Sequence, residues 1–192
     1  MKKILLISIF FVFNALNAHT NEVKRILVGN ENAKISIIAF ESLTCSHCAN
    51  FHKDVYPMLK KEYLDTGLVK IEFRHFPLDI AAFNASKVAQ CKNDGNPEIL
   101  ESLYANQEQW VRGSTAEEVN SYLKTFIKNE GFDVDFSSCI NNKQIEDFVL
   151  NDRIDGAKNF KINATPTIII NNKKFEKPLN FKNLKKALEK LI

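Results

Sequence analysis

The stretch FESLTCSHC, residues 40–48, decides the fold, because it places two cysteines directly after a short apolar run. That run, residues 35–40, contains β-branched and aromatic side chains and predicts a buried strand. After Cys48, apolar side chains recur at Phe51 and Val55, the spacing of one helix face. The sequence therefore predicts a strand that leads through a Cys-x-x-Cys motif into a helix.

The two cysteines of this motif occupy different positions on the predicted helix. Cys48 is in register with the apolar face, so its sulfur is expected to point inward, whereas Cys45 lies at the helix N-terminus and is expected to be exposed. There the unpaired backbone N–H groups and the helix dipole favour a thiolate over a thiol. His47, between the cysteines, adds positive charge or a hydrogen bond. The pattern predicts a reactive pair in which the Cys45 thiolate is a good leaving group.

Two other interpretations of the motif compete with redox chemistry. The first is a static structural disulfide, although a bond between cysteines so close in sequence would constrain little of a large fold. The second is a zinc site in which Cys45 and Cys48 are joined by His52 and His75. The sequence has one Cys-x-x-Cys motif and no second cysteine–histidine cluster of ligand spacing, so no metal is expected. His52 and His75 are expected to be ordinary surface or helix-packing residues.

Two more core strands and a long helical block follow the first helix. Residues 68–76 and 167–170 predict the strands, and residues 79–160 carry only helical patterns. The glycines stand alone, so there is no phosphate-binding loop, and no cofactor is expected. The shorter predicted features are a kink at Pro57, a capping box of Ser114 and Glu117, a turn at 171–172, a short strand at 174–175 and a last helix capped by Asn180.

Residues 1–18 have the pattern of a secretory signal peptide. Two lysines precede an apolar run, residues 4–13, and small residues follow it up to Ala18. The run is shorter than the ~20 residues that cross a bilayer, which disfavours an uncleaved membrane anchor. We expect cleavage near Ala18 and export to the periplasm, where disulfides form.

Charge and cysteine content narrow the class of protein further. The net charge of +3 over 192 residues is too small to indicate nucleic acid as a partner. Two further cysteines, Cys91 and Cys139, lie far from the motif and from each other. Four cysteines in an oxidising compartment suggest disulfides, but they allow three pairings, and the residues alone do not choose among them.

Three features together resemble the thioredoxin superfamily, and its DsbA-like branch in particular. The first is the strand, the motif and the kinked helix around Cys45, and the second is Ala164-Thr165-Pro166 directly before the strand at 167–170. The third is the helical block between the two halves of the core. The resemblance implies an α/β thioredoxin fold, a central mixed β-sheet flanked by helices, with an inserted helical domain. It places the core in residues 19–78 and 158–192 and the helical insertion in residues 79–157.

The same resemblance implies roles for the site residues. Cys45 becomes the nucleophile and Cys48 the resolving cysteine, while Ser46-His47 is the dipeptide that tunes the reduction potential. Thr165-Pro166, joined by a cis peptide bond, becomes the loop that positions a substrate peptide.

Two positions depart from the family pattern. The dipeptide begins with Ser46 where the best-known oxidases have proline, which leaves the potential open. DsbA-like enzymes often carry a buried glutamate six residues before the first cysteine, and that position is Ala39 here. Glu41, on the same strand face, is expected to face solvent at the strand end. The alternative is that it replaces the buried acid as a proton carrier.

Cys91 and Cys139 both lie in the predicted insertion. We expect a structural bridge between them, and the alternative is two free buried thiols.

The expected function is that of a monomeric periplasmic thiol–disulfide oxidoreductase that introduces disulfide bonds into exported proteins. A DsbB-like membrane partner would reoxidise it. An isomerase or reductase of the same fold is the first alternative. Isomerases of this superfamily usually carry an N-terminal dimerisation domain, for which residues 19–34 are too few, and this favours the oxidase. A metal-binding assembly chaperone is the second alternative.

Overall fold

The structure is a computed structural model that describes residues 22–192. Within these residues the chain forms a five-stranded mixed sheet. Its strands are β1 (Ile26–Gly29), β2 (Ile35–Glu41), β3 (Val69–His75), β4 (Thr167–Ile170) and β5 (Lys173–Lys174). Their order across the sheet is β1-β3-β2-β4-β5. β2 pairs parallel with β3 and antiparallel with β4. This is the mixed sheet that the resemblance implies.

β2 takes the central place because it is apolar on both faces. Ile37 and Ala39 are buried in the larger core, and Phe40 is buried in a smaller core on the other side of the sheet. The strand predicted at 35–40 is therefore confirmed, and it continues one residue further, to Glu41. Because β2 is central, the motif that follows it begins deep in the molecule.

The helical stretch after the motif is interrupted, as predicted, but the break lies before the proline. Helix α1 (Ser46–Asp54) ends, Val55 departs from helical geometry with φ −117°, and α2 (Tyr56–Leu59) begins with Pro57 in its first turn. Proline fits a first turn because its missing N–H has no helical partner there. A π-helical segment, Lys60–Leu64, then leads towards Gly67, whose φ is +76°.

Six helices fill the chain between β3 and β4, and the described residues contain no strand there. They are α3 (Ile80–Ala89), α4 (Glu98–Ala105), α5 (Gln107–Trp110), α6 (Ala116–Asn129), α7 (Phe136–Asn141) and α8 (Lys143–Asn159), and α9 (Phe181–Leu188) follows β5. The predicted helical block and the Asn180 cap of α9 are confirmed. The boundaries 19–78 with 158–192 and 79–157 stay a prediction.

The capping box of α6 lies one residue later than predicted. Thr115 accepts the amide of Glu118, and the Glu118 carboxylate accepts the amide of Thr115. The prediction of Ser114 and Glu117 was wrong because both serine–glutamate and threonine–glutamate pairs satisfy the spacing, and α6 begins at Ala116.

The N-terminal part of the chain adds a strand that the sequence did not predict. The short apolar stretch of β1 pairs antiparallel with β3, with Ile26 opposite Phe73. The predicted signal peptide, residues 1–18 with a cleavage point near Ala18, lies outside the described residues. Between residues 22 and 192, every helix is too short or too polar to cross a bilayer.

Candidate active site

The two cysteines of the motif lie where the chain passes from β2 into α1. Cys45 is the N-cap residue, with extended backbone, and its carbonyl accepts the amides of Cys48 and Ala49 at 3.1 Å each. Cys45 is partly exposed, whereas Cys48 is fully buried, and both are free thiols. The helix phase therefore places the two sulfurs as the sequence suggested, one near the surface and one in the core.

The surroundings of Cys45 stabilise its thiolate. A hydrogen bond from the Cys48 thiol is the largest cause and lowers the pKa of Cys45 to about 5, although partial burial opposes the shift. The Thr165 side chain and the backbone amides of Cys48 and His47 lower the pKa further. A thiol with this pKa is ionised at neutral pH, so Cys45 is both a nucleophile and a good leaving group.

The surroundings of Cys48 act in the opposite direction. Burial raises the pKa of the Cys48 thiol well above its usual range, and Cys45 and the charge of Glu41 add to the shift. Cys48 therefore carries its proton at neutral pH when the pair is reduced. One motif thus holds a thiolate and a thiol side by side.

Thr165-Pro166 forms the opposite wall of the site. The peptide bond between them is cis, and the Cys45 Sγ lies 3.3 Å from the Thr165 carbonyl oxygen, which accepts its hydrogen bond when the sulfur is protonated. β4 begins at the next residue and pairs with β2, so the sheet holds this loop against the motif. The resemblance placed these residues beside the cysteines, and the structure brings them together.

The dipeptide Ser46-His47 is exposed at the start of α1. His47 lines a surface groove of about 530 Å³ together with Thr165, Pro166 and Phe181. The groove therefore runs from the motif along the wall that the cis peptide bond forms.

Glu41 was expected to face solvent, and this was wrong. Its side chain is 3% exposed, and its Oε2 lies 2.9 Å from Nε2 of His52, whose side chain is 5% exposed. β2 continues to Glu41, so the carboxylate lies inside the fold, and His52 follows Cys48 by one turn on the buried face of α1. His52 is therefore a buried hydrogen-bond partner of Glu41 and not a surface residue.

His75, at the end of β3, is buried as well. Burial lowers the pKa of His75 to about 3, and the charge of Arg25 contributes. Within residues 22–192, no group of three or more His, Cys, Asp or Glu side chains is placed to hold a metal ion.

Gln107 is a residue of the site that the sequence did not reveal. Its Nε2 donates to the carbonyl oxygens of Leu43 at 2.6 Å and Cys45 at 3.2 Å. It belongs to α5 and so connects the helical block to the loop that carries the motif. Glutamine has no distinctive spacing relative to a motif about 60 residues away, so no sequence signal marks it.

Cys91 and Cys139 are joined by a disulfide, with 5.3 Å between their Cα atoms. Cys91 follows α3, and Cys139 lies in α7, so the bond connects two helices of the helical block.

A sheet of this order, with a Cys-x-x-Cys motif at the start of its first helix and a cis X–Pro bond facing it, defines the class of thioredoxin-fold proteins. The model of the family described as Thioredoxin matches residues 21–190. The chain therefore belongs to the thioredoxin family. Among solved structures, it is similar to alpha-DsbA1 of Wolbachia pipientis, with 28% identity, a TM-score of 0.76 and coverage of 87% of this chain and 90% of that one.

Two curated relatives extend the comparison. A Rickettsia prowazekii protein, named provisionally as a protein-disulfide oxidoreductase, is 27% identical over 86% of this chain, and the match spans 61% of its own length. Disulfide bond formation protein D of Bacillus subtilis is 26% identical over 85% of this chain and 75% of its own. The chain thus spans about three fifths of the length of the Rickettsia relative.

Proposed function

We propose that the chain is a thiol–disulfide oxidoreductase that introduces disulfide bonds into exported proteins in the periplasm. The observation that carries the proposal is the opposite direction of the two pKa shifts within one motif, lowered for Cys45 and raised for Cys48. A stabilised Cys45 thiolate favours the reduced protein over its disulfide. The disulfide form is then a strong oxidant of other thiols.

The reaction follows from the exposure of the two sulfurs. A substrate thiolate attacks the Sγ of Cys45, the Cys45–Cys48 bond breaks, and Cys48 leaves as a thiolate that takes up a proton. A second substrate thiolate then attacks the substrate sulfur of the mixed disulfide, and Cys45 leaves as a thiolate. The substrate has lost two electrons to the protein, and its own disulfide has formed. The fully buried Cys48 is shielded from attack, which fixes the order of the steps.

The wall opposite the motif suits an extended peptide. Thr165-Pro166 lies directly before β4 and beside the Cys45 sulfur, so its backbone edge is available to pair with a substrate strand. The groove between this wall and His47 extends the surface on which such a peptide lies. The substrate class is therefore an unfolded or folding protein with free cysteines.

A membrane redox partner of the DsbB kind would reoxidise the reduced pair. The signal-peptide pattern of residues 1–18 supports export, and the names of the relatives support disulfide chemistry. The chain would act as a monomer.

The reduction potential of Cys45–Cys48 against glutathione tests the oxidase proposal. We expect an oxidising value, above about −200 mV, together with catalysed oxidation of a reduced, unfolded protein. The measurement is repeated with Cys91→Ala and Cys139→Ala, so that only one pair exchanges. A potential near that of thioredoxin, about −270 mV, would assign the chain to the reductases instead.

A further inference from the structure

Gln107 is a residue through which the helical block holds the loop that carries the motif. It is the first residue of α5 and follows Asn106, whose backbone departs from helical geometry with φ −125° and ψ 27°. Its Nε2 lies 2.6 Å from the carbonyl oxygen of Leu43 and 3.2 Å from that of Cys45. A side-chain amide carries two N–H donors, so a single glutamine can serve both carbonyls. One side chain therefore fixes the backbone on either side of Thr44.

One of these two carbonyls belongs to the nucleophile. The Cys45 carbonyl oxygen accepts the amides of Cys48 and Ala49, both at 3.1 Å, and so forms the first turn of α1. The amide of Cys48 also acts on the Cys45 sulfur, where it lowers the pKa of the thiol. The carbonyl and the sulfur therefore share one N–H donor. Because Gln107 donates to the carbonyl as well, this N–H is more available to the sulfur.

A second contact between the helical block and the same loop acts on a side chain. The Thr44 hydroxyl donates to Oδ2 of Asp79 at 2.7 Å, and Asp79 caps the start of α3. Leu43 is buried, so water does not easily replace a donor to its carbonyl. The contact with Asp79 thus restrains one side chain of the loop. The contact with Gln107 acts on the backbone of the nucleophile itself.

We infer that Gln107 is a positioning residue for Cys45, which holds the carbonyl of the nucleophile so that the Cys48 amide is directed at its sulfur. This role rests on the proposed function. Gln107 acts through the peptide backbone and takes no part in the exchange of sulfur–sulfur bonds. Without its contact, the protein keeps both cysteines and the helix start but loses part of the stabilisation of the thiolate. It is then a weaker oxidant, because Cys45 is a poorer leaving group.

Gln109 provides a matched control on the same helix. It is exposed and, like Gln107, lines a groove of about 770 Å³ between α1 and the helical block. Its Nε2 donates to Oδ1 of Asn106 at 2.9 Å and not to the loop of the motif. The charged side chains of the groove, such as Lys53 and Glu101, are the same in every variant compared. The two glutamines therefore differ in what their amides contact.

The test measures the pKa of Cys45 in the full chain, with the first pair reduced and the Cys91–Cys139 bond intact. The ultraviolet absorbance of the thiolate reports this pKa, and the equilibrium with glutathione reports the oxidising strength. Gln107→Met keeps the length of the side chain and removes both donors. We expect it to raise the pKa by roughly half a unit to one unit, the scale of one lost hydrogen bond. The equilibrium with glutathione should shift by about threefold to tenfold toward the Cys45–Cys48 disulfide.

Two charge variants separate the contact from the general electrostatics of α5. Gln107→Glu replaces the donors with a carboxylate that repels both carbonyl oxygens, so we expect it to raise the pKa of Cys45 at least as much as Gln107→Met does. Gln109→Glu adds the same charge at an exposed position, where solvent and salt screen it, and should leave the pKa within about a third of a unit. Thermal melting of the oxidised form shows whether each variant is folded.

An unchanged pKa in folded Gln107→Met would overturn the inference, because Gln107 then has only a structural role. An equal shift in Gln107→Glu and Gln109→Glu would do the same, since the charge and not the contact then acts on the sulfur. If Gln107→Met does not fold, the comparison of the two charge variants decides. A failure of the proposed function looks different, because the wild-type equilibrium with glutathione is then that of a reductase while the two glutamines still differ in their effect on the pKa.

Discussion

The chain carries two pairs of cysteines whose surroundings differ. Cys45 and Cys48 lie at the start of a helix, where their surroundings lower the pKa of the Cys45 thiol and raise that of Cys48. Cys91 and Cys139 are 48 residues apart and join two helices, with Cys139 fully buried. The first pair is next to backbone amides and a loop that reaches the sulfur, whereas the second is packed among apolar side chains. We therefore propose that the position of each pair in the fold makes the first reactive and the second structural.

The largest expected difference between the pairs is in activity. Cys45→Ser removes the sulfur that substrates attack, so we expect disulfide exchange to fall to the uncatalysed rate. Cys91→Ala with Cys139→Ala should keep most of the activity. The oxidation rate of a reduced, unfolded protein measures both variants. If the double variant is folded and as inactive as Cys45→Ser, the second pair takes part in the reaction and the comparison fails.

The next largest difference is in stability. The Cys91–Cys139 bond closes a loop of 48 residues. In the chain-entropy account, its removal lowers the free energy of unfolding by about 4 kcal/mol. Urea denaturation of the Cys91→Ala, Cys139→Ala variant checks this value. An unchanged denaturation midpoint would show that the helical block does not depend on its disulfide.

The smallest expected difference is a pH dependence that belongs to the first pair alone. In the folded, reduced protein the pKa of Cys45 is lowered from 9.0 to about 5. Its contribution to stability is therefore absent below about pH 5, grows as the pH rises and is complete above about pH 9. The disulfide does not titrate. Between about pH 5 and pH 8, the melting temperature of the reduced form should rise relative to that of the oxidised form.

The measurement requires protein in which only the first pair is reduced, which alkylation and peptide mass verify. Cys45→Ser is the control and should show no such shift. A pH-independent difference between the two forms would mean that the Cys45 thiolate is not stabilised by the fold.

Most of the fold is readable from the sequence because its central strands are short apolar runs. The strands at 35–40 and 167–170 needed no tertiary information. β1 was missed, because three apolar residues become a strand only when the edge of β3 is available to pair with them. The capping box of α6 was placed one residue early, since neighbouring residues satisfied the same rule.

From the residues alone the site was readable only where it follows helix phase, and the place of Thr165-Pro166 came from the resemblance. The exposed and buried positions of Cys45 and Cys48 come from the apolar spacing of α1. The burial of Glu41 and His52 does not, because the two polar side chains meet by a hydrogen bond between β2 and α1 that no spacing in the sequence indicates. Gln107 could not be predicted from the sequence either, because its contact with Leu43 spans 64 residues.

The distance in sequence between Cys45 and Thr165 has a consequence for synthesis. The two residues are 120 positions apart, and the whole helical block lies between them. As the chain is made, both cysteines of the motif leave the ribosome long before the loop that completes their surroundings. During that interval Cys45 lacks the Thr165 contact that helps to lower its pKa. The surroundings of the motif are therefore complete only when β4 has paired with β2.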